Sequence, residues 1–458
     1  MLLVAALAPA GALDLARSSV SSGRSLEYAG ELTALGPRLT GTEGYQRAAE
    51  WSADRFRAMG LTRVTLEPFT IARGWERVSA RARIVAPIAR DLHLASLGWS
   101  PSTPGGGVEA DVIALETFSL DRSLRSGSVA ARSLQGRIVL LPEGDPPGDA
   151  VTAANTRRAL AAALQGAGVL AILSPDSDPD NQLSAREYEI GPDVSVLPAA
   201  QIGGDDARVI RELAKKGSVR LSLEMINRVT PGATAVNNVL AEIPGRDRPE
   251  EWVVVGAHLD SWDFAAGAQD NATGVAMVLE AARAIAAMPQ APHRSIRFAL
   301  WGGEEEGQLG STAYANAHAA ELDHLVATLN TDAGTGRIIG WTAPGRSDVV
   351  RAARPLMQDF LTELGAATFD VSLRYAFQSD GAPFILAGIP TLDLNADDTK
   401  YEEIHHTAAD TMTRVDAHQL AVGAAVVAAT AYAIADAPGR VAPRLDLRAA
   451  EQMQKKGK

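Results

Sequence analysis

The sequence contains no cysteine. Disulfides, thiolate nucleophiles and cysteine-type zinc sites are therefore excluded, and any bound metal must draw its donors from His, Asp and Glu. An excess of positive charge is also missing. The 43 Lys and Arg stand against 55 Asp and Glu, for a formal net charge of −12. A nucleic-acid partner normally leaves a basic footprint, so this balance argues against one. Beyond the N-terminal segment, no run approaches the roughly 18 apolar residues expected of a membrane span.

What is present is ordinary globular composition, 46% hydrophobic and 21% charged over 458 residues, enough for two or three domains. The N-terminus, MLLVAALAPAGALD, is apolar with small residues at the A-x-A positions Ala8-Pro9-Ala10 or Ala10-Gly11-Ala12. Over residues 1–12 it resembles an export signal without a basic start, which points to a secreted or periplasmic protein. The tail at 441–458, ending QMQKKGK, reads as a solvated end.

Between these ends the texture changes twice. Residues 25–67 read as helix, turn, helix, strand, with the helix Tyr45–Met59 stopped by Gly60. After the loop SPSTPGGG, residues 99–230 carry short strand patterns (ADVIAL, RIVLLP, VLAILSP, VRLSLEM) around an alanine-rich helix near Ala153–Gln165. This reads as a smaller α/β module inserted in the chain, with Arg157 and Arg158 as surface charges. From Asn237 onward strands and helices alternate regularly: WVVVGAH, then a helix over Val275–Met288, IRFALW, a helix from Ser311, LVATLN, a helix over Ser347–Leu364, PTLDLN and a closing helix over Ala417–Ala435. Such alternation predicts a doubly wound, mostly parallel α/β sheet built from 13–98 and 231–440.

Ligands of such sheets bind beyond the carboxyl ends of the strands. The strand VVVGAH runs into His258-Leu259-Asp260, and Asp270-Asn271 stand just before the next helix. FALWGG runs into Glu304-Glu305-Glu306, VATLN into Asp332, and EIHHTAADT supplies His405, His406 and Asp410. Singly, each cluster has an ordinary reading as a cap, a turn or a solvated acidic run. Together they converge on one sheet edge. Several carboxylates there repel one another unless cations neutralise them. A pair of divalent metals about 3.5–4 Å apart, sharing one carboxylate and one water, meets that need.

The segments AHLDSWDFAAGAQDNATG, WGGEEEGQLGS, LNTDAG, SDGAPFILAGIP and HHTAADT, in this order, resemble the co-catalytic dizinc exopeptidases, which include bacterial aminopeptidases and glutamate carboxypeptidases. HLDSW, TDAGT and HHT-x-x-DTMT are most like the plasma glutamate carboxypeptidase (carboxypeptidase Q) branch. A softer similarity covers YAGELTALGPRLTG and an inserted protease-associated domain.

The resemblance implies two Zn²⁺ per chain. Asp270 would bridge them, His258 and Asp332 would complete one site, and Glu305 and His406 the other. Glu304 would be the general base, with Glu306 incidental. Asp260 would orient His258, and Asp410 would do the same for His406. The oxyanion donor stays open between His405 and Tyr375, because this chain has Ser379-Asp380-Gly381 where many relatives read Ser-Asp-His, and His405 where glutamate carboxypeptidases carry Tyr. The implied activity is hydrolysis of dipeptides or short peptides with free termini, in a chain that is a possible homodimer. The alternatives are an aminopeptidase acting on longer peptides, a glutaminyl cyclase and a non-catalytic receptor-like homologue.

Overall fold

The run WVVVGAH ends a strand, Arg248–His258, that is buried continuously from Trp252 onward. Its β-branched side chains suit a position covered on both faces. The strand lies parallel to Arg294–Trp301 on one side and to Leu325–Asn330 on the other, and Thr391–Ala396 pairs parallel with Leu325–Asn330. These four form the parallel centre of an eight-stranded sheet. Thr234–Ile243 and Ile338–Thr342 flank them antiparallel, and Thr62–Ile71 and Thr368–Asp370 are the outermost strands.

Alternate residues of a strand face opposite sides of its sheet. Trp252, Val254, Ala299 and Trp301 pack with Tyr314 and Phe384 from the helices Leu309–Ala317 and Ala382–Leu386. Helices Thr273–Ala286 and Ala417–Asp436 also pack on strand Arg248–His258, and helix Ala12–Ser22 packs on both of them.

The computed structural model describes residues 11–118, 133–148, 150–177, 179–187, 194–397 and 401–457. They fall into two compact units: one within residues 11–70, 235–405 and 409–457, the other within residues 71–234 with 406–408. The second unit has its own eight-stranded sheet, in the order Arg90–Leu92, Trp75–Ala86, Arg220–Val229, Val108–Ala114, Ile138–Leu140, Ala171–Pro175, Ala199–Ile202, Leu94–Ser96. Ile138 and Leu140 pack with Ala207 and Ile210 of helix Gly204–Ala214. Val139 and Leu141 pack with Leu160 and Leu164 of helix Ala150–Gly166. The short sheet is thus sandwiched between two helices.

Four features depart from the sequence expectations. The second sheet starts at Trp75, well before residue 99, because Trp75–Ala86 pairs antiparallel with Arg220–Val229 along most of its length. The tail forms a helix, Leu447–Gly457, with Ala450 buried. One described helix, Ala417–Asp436, is long and apolar enough to cross a membrane. It is apolar all round because it is buried almost all round, from Leu420 to Ala435. Finally, Ala12 opens a helix, while residues 1–10 of the expected export segment lie outside the described residues.

Candidate active site

The parallel register sets His258 opposite Trp301, so the ends of both strands reach the same edge. There the imidazole of His258 is 1% exposed, with Nε2 3.1 Å from Asp270 Oδ1 and 3.4 Å from Asp332 Oδ1. All three donor atoms lie within 4.8 Å of one another. On its other side, Nδ1 donates to the carbonyl of Asp260 at 3.2 Å, which turns Nε2 toward the two carboxylates. Nε2 is buried without a hydrogen bond of good geometry. Burial pushes this imidazole toward neutrality, but Asp332, Asp260 and Asp270 outweigh it and hold its pKa well above the usual histidine value. A nitrogen donor and two carboxylate oxygens converging in a buried place are the donor set of a divalent metal site.

The loop after Trp301 depends on two glycines. A Cβ on Gly302 would sit 2.3 Å from the hydroxyl of Tyr45, and Gly303 has φ +73°. The Gly303 amide donates to Thr40 Oγ1, which itself donates to Asp260 Oδ2 at 2.9 Å. The amides of Glu304 and Glu305 donate to the same Asp260 carboxylate, each at 3.3 Å. Gln308 Nε2 donates to Glu304 Oε1 at 3.1 Å. Burial, first, and the charges of Asp332, Asp380 and Glu305 raise the Glu304 carboxyl well above the usual range, with His258 opposing.

Asp270 stands in a short irregular turn, Ala268–Ala272, at the start of helix Thr273–Ala286. The Asp410 carboxylate accepts the amides of Gln269 and Asp270 at 2.6 and 3.1 Å, so it fixes the backbone that carries Asp270. Burial raises Asp410 to about 6. Asn271 closes the turn from the other side, donating to the Thr331 carbonyl at 2.8 Å and accepting the Gly274 amide at 2.9 Å. Below the turn, the fully buried Arg38 donates to the carbonyls of Leu259, Ala266 and Gly267. Burial lowers Arg38 to about 10, while Asp410, Asp260, Asp270 and Glu305 oppose the shift, so it stays cationic at neutral pH.

A cavity of about 630 Å³ opens against this cluster, with Asp332, Arg374, Tyr375, Ser379, Tyr401 and His405 in its wall. Its size falls within the usual range for small-molecule sites. His405 Nε2 lies 3.4 Å from Asp270 Oδ2, and its ring packs at 5.1 Å on Tyr401.

Residues 238–431 match the peptidase family M28 model. Bovine carboxypeptidase Q is 32% identical over 405 residues, covering 88% of this chain and 83% of that protein. The human enzyme is 31% identical, covering 93% and 88%. The chain belongs to peptidase family M28. A solved M28 peptidase precursor from Shewanella amazonensis superposes with a TM-score of 0.79 at 30% identity, covering 95% of this chain and 98% of that one. The fold is shared more widely: the zinc aminopeptidase of Bacillus subtilis gives a TM-score of 0.69 at 22% identity, over 89% and 93%.

As an M28 chain it is a metallopeptidase, and its site residues can be located against the sequence expectations. The structure brings His258, Asp260, Asp270, Asp332 and His405 together, and hangs Glu304 and Glu305 on Asp260. Asp410 serves the Asp270 backbone. His406, directly after His405, has φ +60°, and its carbonyl accepts the Ala185 amide within the second unit at 2.7 Å. Tyr375 is half-exposed in the cavity wall. Glu306, expected to be incidental, is 2% exposed.

Several residues to which the sequence reading gave no role also support the site. Ser379 donates to Asp332 Oδ2 at 2.7 Å, and Ser311 donates to the buried Asp380, whose carboxyl burial raises to about 7. Thr40 and Arg38 act across more than two hundred residues of sequence. The only sequence signal for these last two was their place in YAGELTALGPRLTG.

Proposed function

We propose that this M28 peptidase is a zinc-dependent exopeptidase that hydrolyses dipeptides and short peptides with free termini. The observation that carries the reading is the buried Nε2 of His258, set between carboxylate oxygens of Asp270 and Asp332. His258, Asp270 and Asp332 would hold one zinc, and Asp270, Glu305 and His406 a second. When bound, such a metal pair supplies the positive charge that acidifies water and polarises the scissile carbonyl.

The chain's own residues move the proton. Glu304 accepts it from the attacking water and passes it to the leaving amine, in the manner of a general base that becomes a general acid. Asp260 sets the angle of both His258 and the Glu304 backbone. His405, beside Asp270, is the better placed of the two candidate oxyanion donors. The second unit is read as a protease-associated domain, on its sequence resemblance and its small helix-flanked sheet. Export is supported by the apolar N-terminal segment.

The test is metal analysis alongside turnover of a free dipeptide. Wild type should carry two zinc ions per chain. Glu304→Gln should keep both and lose roughly 10²–10⁴ in rate, because only proton transfer is removed. Asp270→Ala should lose metal. Near-normal turnover in the first variant would remove Glu304 as the base, and a metal-replete second variant would remove Asp270 as the shared ligand.

A further inference from the structure

The cavity beside the metal cluster is acidic, with Asp332, Asp370, Asp393 and Glu402 in its wall. Against that background stands one permanent cation among the residues lining it, Arg374. The residue is exposed, and among the described residues no carboxylate pairs with it. Its guanidinium lies over the ring of Tyr375, 4.8 Å from the centroid. The short turn beneath is fixed by the Arg374 amide donating to Ser372 Oγ at 3.1 Å and the Gln378 amide donating to the Tyr375 carbonyl at 3.1 Å.

We propose that Arg374 reads the free carboxylate of a short peptide substrate and so makes the site selective for zwitterionic peptides. The proposal rests on the hydrolytic reading above. A guanidinium stacked on an aromatic face keeps its in-plane N–H fork directed outward, and that fork matches a carboxylate in a two-point hydrogen bond. The acidic wall supplies the other half of the selectivity. It disfavours polyanions, while a zwitterion brings one carboxylate for Arg374 and one ammonium for the acidic side. Arg157 in the second unit is a poorer candidate, since Asp145 already takes its guanidinium at 2.7 Å.

The experiment compares zinc-loaded wild type with Arg374→Ala and Arg374→Lys on Ala-Leu and on its C-terminal amide. Wild type should prefer the free dipeptide. Arg374→Ala should lose roughly ten- to hundred-fold in kcat/KM on Ala-Leu, mainly through KM, with a smaller loss on the amide, so that the preference collapses. Arg374→Lys should fall between, keeping the charge but not the fork. An equal loss on both substrates, or none on Ala-Leu, overturns the assignment.

Calorimetric binding of leucine and leucinamide to the same proteins separates this from the hydrolytic reading. If wild type cleaves neither peptide yet binds leucine in an Arg374-dependent way, hydrolysis fails and the carboxylate site stands. Leucine binding unchanged by Arg374→Ala overturns the site itself.

Discussion

The carboxylate of Asp260 accepts the backbone amide of Glu304 at 3.3 Å. The same carboxylate accepts hydrogen bonds from the Glu305 amide and the Thr40 hydroxyl, and the Asp260 carbonyl accepts one from His258 Nδ1. One residue therefore sets the position of a proposed metal donor and of the loop that carries the proposed base. Asp260→Asn replaces an acceptor with a group that is half donor, facing two N–H groups. Metal affinity or turnover should fall roughly 10–100-fold, the usual cost of disturbing groups that orient metal ligands from behind. Zinc titration and steady-state rates would measure it. Wild-type values in both would show that the loop holds its shape without this carboxylate.

Arg38 gives a different kind of prediction. It satisfies three carbonyls of the loop that joins His258 to Asp270. Arg38→Met has similar reach and no donors, leaving those carbonyls buried and unpaired at about 1–3 kcal/mol each. Denaturant unfolding should show a loss of roughly 2–5 kcal/mol, with weaker zinc binding beside it. A variant as stable as wild type would mean that water reaches those carbonyls.

The third prediction concerns pH and the second unit. Asp206 is fully buried and accepts hydrogen bonds from the Arg90 guanidinium and the His93 amide and ring. Burial alone would raise its carboxyl, but these partners overcome it and hold the pKa below the usual aspartate value. A group with a depressed folded-state pKa binds protons more readily when unfolded. Its contribution is therefore complete above the unfolded value of about 4 and is lost as the pH falls through the lower folded value. Thermal unfolding of wild type should drop more steeply below about pH 4 than that of Asp206→Asn, which is less stable at neutral pH but lacks this proton-linked loss. Parallel curves for the two proteins would rule out the linkage.

Much of this was legible in the sequence where local pattern and burial agree. WVVVGAH, LVATLN and the helix from Ser347 follow from periodicity, and the strand-end rule gathered His258, Asp270, Glu304, Glu305 and Asp332 before any coordinates. The strand Trp75–Ala86 was missed because four charged residues interrupt its apolar alternation and most of its side chains stay partly exposed. Helix Gly204–Ala214 was missed because its first turn is glycine and aspartate, and Ala207 and Ile210 are its main core contacts. The roles of Arg38 and Thr40 were hidden for another reason. Their partners come from distant sequence, and nothing in GPRLTG says which loop it will meet. Asp410 was placed by its motif, and its carboxylate also grips the amides of the Asp270 turn, which no motif announces.

The packing of helix Ala12–Ser22 on helix Ala417–Asp436 sets a timetable for synthesis. A ribosome releases residues in order, and units fold as their parts emerge. Every strand of the second unit lies between Trp75 and Val229, so its sheet can close while the strands bearing the metal donors are still untranslated. The first helix, by contrast, waits for Thr273–Ala286 and then for Ala417–Asp436 to cover its apolar side. The candidate site draws on residues from Thr40 to Asp410, so it can be complete only after nearly all of the strands that frame it have been made.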